Sequence, residues 1–210
     1  MTPQRPDFAE ILRLVPSGAR VLDVGCGEGE LLDLLIRHNG VDGRGIEISA
    51  EGVSACLARG LSVMQGDADR DLDYFPAGAF DVVILSQTLQ AVPRPRHVLS
   101  EMLRIGERAI VTLPNFGHWR ARLDLLTRGR MPMTRALPEP WWGTANIHLC
   151  TLGDFAALAA DLGLIIEACA AFAGGRRSSP ARPGRGSENW RAETALFLLR
   201  RAGPGRSPDP

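Results

Sequence analysis

The chain has 210 residues, 45% hydrophobic and 23% charged, enough for one folded domain with a substantial core. Basic and acidic residues number 24 each, so the formal net charge is zero and no long-range field draws the whole molecule toward nucleic acid or anionic lipid. No apolar run reaches the ~18 residues of a membrane span. No secretory leader is recognisable, so Cys26, Cys56, Cys150 and Cys169 are expected to be reduced thiols of a cytoplasmic protein. Every basic residue is arginine, as a GC-rich coding sequence would produce, which leaves no lysine for Schiff-base or general-base chemistry.

In chain order, a lead-in to Pro16 holds a short helix over Phe8 to Leu14. Arg20 to Val24 reads as an apolar strand running into glycines. Glu28 to His38 repeats leucine at helical spacing, and Asn39-Gly40 ends that helix. Gly45 to Ile48 is a second strand. Ser49 can cap a helix over Ala50 to Arg59, closed by Gly60. Leu61 to Gln65 and Phe80 to Leu85 are further strands, Arg96 to Arg104 a helix, and Ala109 to Leu113 a fifth strand. Strand alternating with helix predicts a parallel sheet covered on both faces.

That rhythm stops at about 115–150, where three of the four tryptophans lie among prolines and arginines. The stretch is expected to be an insertion over one end of the sheet. A helix from Thr151 to Leu162 follows, then strands Leu164 to Phe172 and Glu193 to Leu199. These last two should pair antiparallel because no helix lies between them. The expected organisation is one domain over 1–200, with a mobile loop at about 174–189 and a disordered tail at 201–210.

Val21-Leu-Asp-Val-Gly-Cys-Gly-Glu-Gly29 is the most informative stretch. A strand feeds a glycine turn that opens a helix, and glycines let the backbone approach a ligand closely. A dinucleotide fingerprint would space its glycines G-x-G-x-x-G and rest a diphosphate on the helix N-terminus. Here the third glycine comes one residue early, and Glu28 stands beside the helix start. That carboxylate disfavours a diphosphate but tolerates a cofactor bearing a sulfonium and an ammonium. Asp23 adds negative charge just before the loop. Glu47, ending the second strand, is placed for ribose hydroxyls. Asp67 and Ala68 follow the third strand, where an acid and a backbone N–H suit an adenine edge. Asp81 begins the fourth strand, and Ser86 and Gln87 leave its far end. Taken singly, each acid reads more readily as a helix cap or a solvated side chain than as a ligand contact. Together they favour a nucleoside site.

At these residues the chain resembles class I S-adenosylmethionine (SAM)-dependent methyltransferases. The match lies in Leu22-Asp-Val-Gly-Cys-Gly-Glu-Gly29, Gly45-Ile-Glu-Ile48, Gly66-Asp67 and Phe80-Asp-Val-Val83. The resemblance implies a doubly wound, mostly parallel α/β sheet of seven strands in the order 3-2-1-4-5-7-6, with a helical insertion after strand 5. It implies a SAM or S-adenosylhomocysteine site formed by Asp23, Gly25, Cys26, Gly27, Glu47, Ile48, Asp67, Ala68, Ser86 and Gln87. Stretches outside those motifs narrow the resemblance to the MetW family of methionine-biosynthesis proteins: Ile84 to Val92, Pro114 to Arg120, Gly129 to Met133 and Asn146 to Thr151. Trp142, Gly143 and Ala145 depart from that family's pattern. Membership implies a partner, the homoserine O-acyltransferase MetX, whose formation of O-acylhomoserine the protein would support.

A methyltransferase must position its acceptor and, for many acceptors, remove a proton. Ser86-Gln-Thr-Leu-Gln90 offers no histidine or carboxylate and lacks the Pro-Pro-Tyr signature of many N-methyltransferases. His118 and His148 are the remaining base candidates, each more readily read as a loop-fixing histidine. With Cys150 they match no common zinc spacing, so no metal is expected. Trp119, Trp141 and Trp142 either anchor the insertion or form a docking patch with Arg120, Arg122, Arg128, Arg130 and Arg135. No nucleic-acid-binding element accompanies them. The leading expectation is a SAM-fold partner of the acyltransferase, and the alternative is a methyltransferase acting on a small metabolite.

Overall fold

The structure, a computed structural model, describes residues 5–134, 136–180 and 186–202. A short helix α1 (Pro6–Leu14) precedes the central strand β1 (Arg20–Val24). Then come α2 (Glu30–Asn39), β2 (Asp42–Glu47), α3 (Ala50–Ala58) and β3 (Ser62–Gln65). A single-turn α4 (Ala68–Asp71) and a 3-10 turn (Leu72–Tyr74) lead to β4 (Phe80–Ser86), α5 (Pro95–Ile105) and β5 (Gly106–Pro114). The chain continues through α6 (Trp119–Arg128), α7 (Leu152–Asp161), β6 (Leu164–Ala173), β7 (Arg176–Ser178), α8 (Glu188–Arg191) and β8 (Thr194–Arg201).

The sheet runs β3-β2-β1-β4-β5-β8-β6-β7. The first five strands in that row are parallel; β8 pairs antiparallel with both β5 and β6. Eight strands replace the expected seven. Gly174 and Gly175 adopt φ +53° and +76°, which is what a two-residue hairpin turn demands, and Arg176–Ser178 folds back onto the free edge of β6. The stretch expected as a mobile loop therefore contains β7 and the short α8; 181–185 lie outside the described residues. Of the expected tail, Arg201 closes β8, and 203–210 also lie outside them.

Alternation along the strands fills two layers. Leu22, Val83, Leu85 and Val111 face one side with Leu99, Met102, Phe155 and Phe197. Val21, Ile84 and Ile110 face the other with Phe8, Ile11 and Leu35. Each such side chain taken wholly from water contributes roughly 1.5–3 kcal/mol. Helix α7 is fixed at its start by a reciprocal bond between Thr151 and Asp154. Among the described residues, no helix is long and apolar enough to cross a membrane.

Strand order reverses between β1 and β4, and ligands of open α/β sheets lie beyond the carboxyl ends at such a point. Val24 stands level with Ile46 of β2 and Leu85 of β4, so the glycine loop leaves the sheet between two strand ends.

Candidate functional site: a crevice over the glycine loop

Gly25, Gly27 and Gly29 all adopt positive φ, at +70°, +56° and +77°. A Cβ on Gly25 would stand 2.7 Å from the Thr88 side chain, and one on Gly29 2.4 Å from Leu61. At Gly27 a Cβ would meet no protein atom within 4 Å. Two of the glycines therefore serve packing, and the third leaves the backbone open where a Cβ would stand. The loop is tied to the sheet where the Gly25 N–H donates to the Ile46 carbonyl at 2.8 Å.

Two clefts meet at Gly25. One, of about 270 Å³, is lined by Asp23, Cys26, Gly27 and Ser86 together with Arg5 and Arg59. The other, of about 260 Å³, is lined by Ile48, Asp67 and Ala68, with Ile46, Thr88 and Val92 as an apolar wall. The first is polar and charged, as an amino-acid moiety needs; the second offers an apolar slot with an acid at its rim, as a purine needs. Asp67 caps α4 by accepting from the Asp69 N–H at 2.9 Å.

Asp23 is 1% exposed and its Oδ1 has no hydrogen-bond partner among the described residues. Burial pushes its carboxyl up to about 7, Arg5 opposing and Glu47 reinforcing the rise. An orphaned buried carboxylate beneath a ligand cleft fits a cationic group such as an ammonium. Glu30 and Asp33 occupy the first turn of α2, and Glu28 lines the cleft 4.0 Å from Arg59. This much negative charge at a helix start is wrong for a diphosphate. The donor set thus fits SAM or S-adenosylhomocysteine, whose ammonium would face Asp23 and whose carboxylate would face Arg5.

Glu47 lines neither cleft. It lies beneath the loop, its two oxygens accepting from the Gly27 N–H at 2.8 Å and the Ser49 N–H at 2.9 Å. The carboxylate braces the glycine loop against the turn into α3, and each oxygen keeps a lone pair for a further donor. Asp81 stands at the opposite end of the sheet. It accepts from the Arg20 N–H and pairs with the Arg20 guanidinium, both at 2.7 Å, which holds its carboxyl below the ordinary range. Contrary to the expectation from sequence, Asp81 therefore does not join Asp23, Glu47 and Asp67 near the glycine loop.

Gln87 is the one non-glycine at positive φ among the described residues, at +57°. It lines a third cleft of about 490 Å³ with Arg5, Pro138, Phe172 and Glu193. Arg5 was invisible as a site residue in the sequence. Its guanidinium donates to the Ser86 hydroxyl at 2.7 Å and pairs with Asp7, forming a partition between the first and third clefts. Its partner Ser86 is 81 residues away, so no local pattern could reveal it.

His118 and His148 line none of these three clefts. Buried His118 caps α6, its Nδ1 accepting from the Arg120 N–H at 3.4 Å, and burial lowers its pKa. His148 Nε2 lies 3.3 Å from the Pro93 carbonyl. Both geometries are those of histidines that fix loops. Cys26 and Cys56 approach to 3.9 Å between sulfurs, and burial raises both thiols, which makes poor nucleophiles of them.

The fold is that of SAM-dependent methyltransferases: one from Mesorhizobium loti superposes with a TM-score of 0.68 at 17% identity, covering 94% of this chain and 99% of that one. A ubiquinone biosynthesis O-methyltransferase of Xanthomonas axonopodis is 34% identical over 147 residues, 66% of this chain and 60% of that enzyme. A bifunctional methionine biosynthesis protein MetXA/MetW of Rhodopirellula baltica is 35% identical over 170 residues, 77% of this chain. The aligned part spans only 27% of that longer protein. Residues 5–199 match the family described as methionine biosynthesis protein MetW. Over nearly its whole length, then, the chain belongs to the MetW family of methionine-biosynthesis proteins, built on the methyltransferase fold.

Proposed function

We propose that the chain binds SAM or S-adenosylhomocysteine across the two clefts that meet at Gly25, and that it partners and supports the homoserine O-acyltransferase MetX. The observation that carries the cofactor reading is the buried Asp23 carboxylate, its Oδ1 without a hydrogen-bond partner among the described residues, beneath a glycine loop whose helix start is acidic. Gly25, Cys26 and Gly27 would line the methionine portion, Arg5 and Ser86 would take the carboxylate end, and Ile48, Asp67 and Ala68 would hold adenine. Glu47 would set the loop from below and offer its remaining lone pairs to the ribose. When bound, SAM supplies a methyl group activated by its sulfonium. Neither His118 nor His148 lines the cofactor clefts, so a binding and regulatory role is favoured over methyl transfer. The partner reading draws support from the Rhodopirellula relative, named for MetXA and MetW in one bifunctional protein.

The test is direct. Mixed with the purified acyltransferase, the protein should co-elute with it and raise its rate, and added SAM or S-adenosylhomocysteine should change that rate. Separate elution at micromolar concentrations with no rate change would refute the partnership.

A second reading, methyl transfer to a small metabolite, is favoured by one observation: the third cleft abuts the first at Arg5 and is roomy enough for an acceptor. Glu193 on its wall would suit an amine. Transfer of labelled methyl from SAM to a component of a small-molecule extract would establish it.

A further inference from the structure

Helix α6 is packed inside out. Only Ala121 of its ten residues is buried. At 100° per residue, Trp119, Leu123 and Leu126 fall within about 60° of one another on the face roughly opposite Ala121. They are 37%, 48% and 83% exposed. Ten of the sixteen large hydrophobic side chains exposed among the described residues lie between 119 and 149, Trp141 at 67% and Trp142 at 75% among them. Scattered exposed apolar groups need no explanation, but a stripe on one helix face does.

Charge selects the occupant. Residues 115–150 hold five arginines against Asp124 and Glu139, whereas the whole chain is neutral, so the remainder is acidic. Asp124 is already paired with Arg128 at 3.4 Å. Arg120 stacks over Trp119 at 5.2 Å, and Arg122 over Trp190 at 5.3 Å, which sets cations along both flanks of the stripe. A symmetric pair of these chains would bring one basic patch against another. A different partner, apolar at the centre of its docking face and acidic at the rim, meets the stripe without that repulsion.

We infer that the Trp119–Leu123–Leu126 face of α6 is the docking surface for a protein partner with an apolar, acid-rimmed face. The inference rests on the partnership proposed above and identifies the acyltransferase as the occupant. Trp and Arg are the residue types that dominate interface energies, and here they frame the leucines.

The test measures the dissociation constant of the full chain for the purified acyltransferase. Leu126→Glu should weaken binding about tenfold or more, through lost burial and repulsion from the acidic rim. Tyr74→Glu, at an equally exposed position outside the insertion, should leave binding unchanged. Raising salt from ~50 to ~500 mM should also weaken the complex. Circular dichroism melting checks that each variant folds. If wild type binds and Leu126→Glu binds equally well, the surface is wrong while the partnership stands. If wild type does not bind, the partnership fails and this inference with it. If the chain self-associates and Leu126→Glu disperses it, the occupant is a second copy and the inference is overturned.

Discussion

Around the glycine loop, most polar groups are held by the protein itself, and Leu22, Val24, Leu32 and Ile46 are buried beneath it. Across residues 115–150 the tryptophans and every leucine but Leu137 are exposed. At the first region, Glu47 grips two backbone N–H groups, Gly25 is bonded to β2, and Asp23 Oδ1 has no partner among the described residues. At the second, α6 keeps one buried residue out of ten. A preorganised crevice with one unpartnered buried carboxyl oxygen among the described residues would suit a small cation-bearing ligand, which has little of its own energy for reordering a site. An open apolar helix face is prepared for a macromolecule, which can cover it.

The sharpest way to break the comparison is Gly27→Val. A side chain there projects into the cleft from a φ of +56°, so SAM binding should vanish while acyltransferase binding through α6 persists in the unliganded state. Wild type at 100 times its Kd should gain ~2.7 kcal/mol of stability in a thermal-shift assay, and the variant none. Loss of acyltransferase binding as well would mean that the two regions are coupled.

Next in size is Asp23→Asn. Its folded-state pKa of about 7 lies above the ordinary 3.8, so between those values the folded chain holds a proton that the unfolded chain has lost. This group's contribution to unliganded stability therefore declines as pH rises through that window. A bound ammonium favours the ionised form, so SAM affinity should rise with pH up to about 7 and then level off. The asparagine variant should lose both slopes, bind SAM more weakly by about 2–3 kcal/mol at pH 8, and melt higher than wild type without ligand. Titration calorimetry and melting from pH 5 to pH 8 read all three.

Glu47→Ala removes the brace rather than a lining group, and SAM affinity should fall by roughly 1–2 kcal/mol. Amide hydrogen exchange at Gly27 and Ser49 should accelerate in the unliganded variant, an effect that a pure ribose contact would not produce. The smallest effect is expected at Gln87→Gly, where the third cleft brings the sheet and the insertion together. Releasing a non-glycine from φ +57° should raise stability by up to ~1 kcal/mol, read from denaturant midpoints.

The sheet was legible because β1, β4 and β5 each carry a cluster of Val, Leu and Ile, and the glycine loop has one natural place in such a fold. The edge strand β7 was not: Arg-Arg-Ser carries no alternation, and its pairing depends on the Gly174-Gly175 turn and the free edge of β6. Among the site residues, Gly25, Gly27, Asp67 and Ala68 follow from their position at strand ends. Glu47 was legible as an important acid but not as a brace, because its partners are backbone groups that only folding brings near. Asp81 carries the same charge at the wrong end of its strand, which a motif list conceals and strand direction reveals. Arg5 and the solvent-facing turn of α6 depend on tertiary placement alone.

The most direct test of the central claim is isothermal titration of SAM, S-adenosylhomocysteine and NAD into the unliganded chain at pH 8. The account predicts saturable binding of the two adenosyl amino acids at one site per chain and none of the dinucleotide. Binding of the dinucleotide, or heat from none of the three, would contradict it.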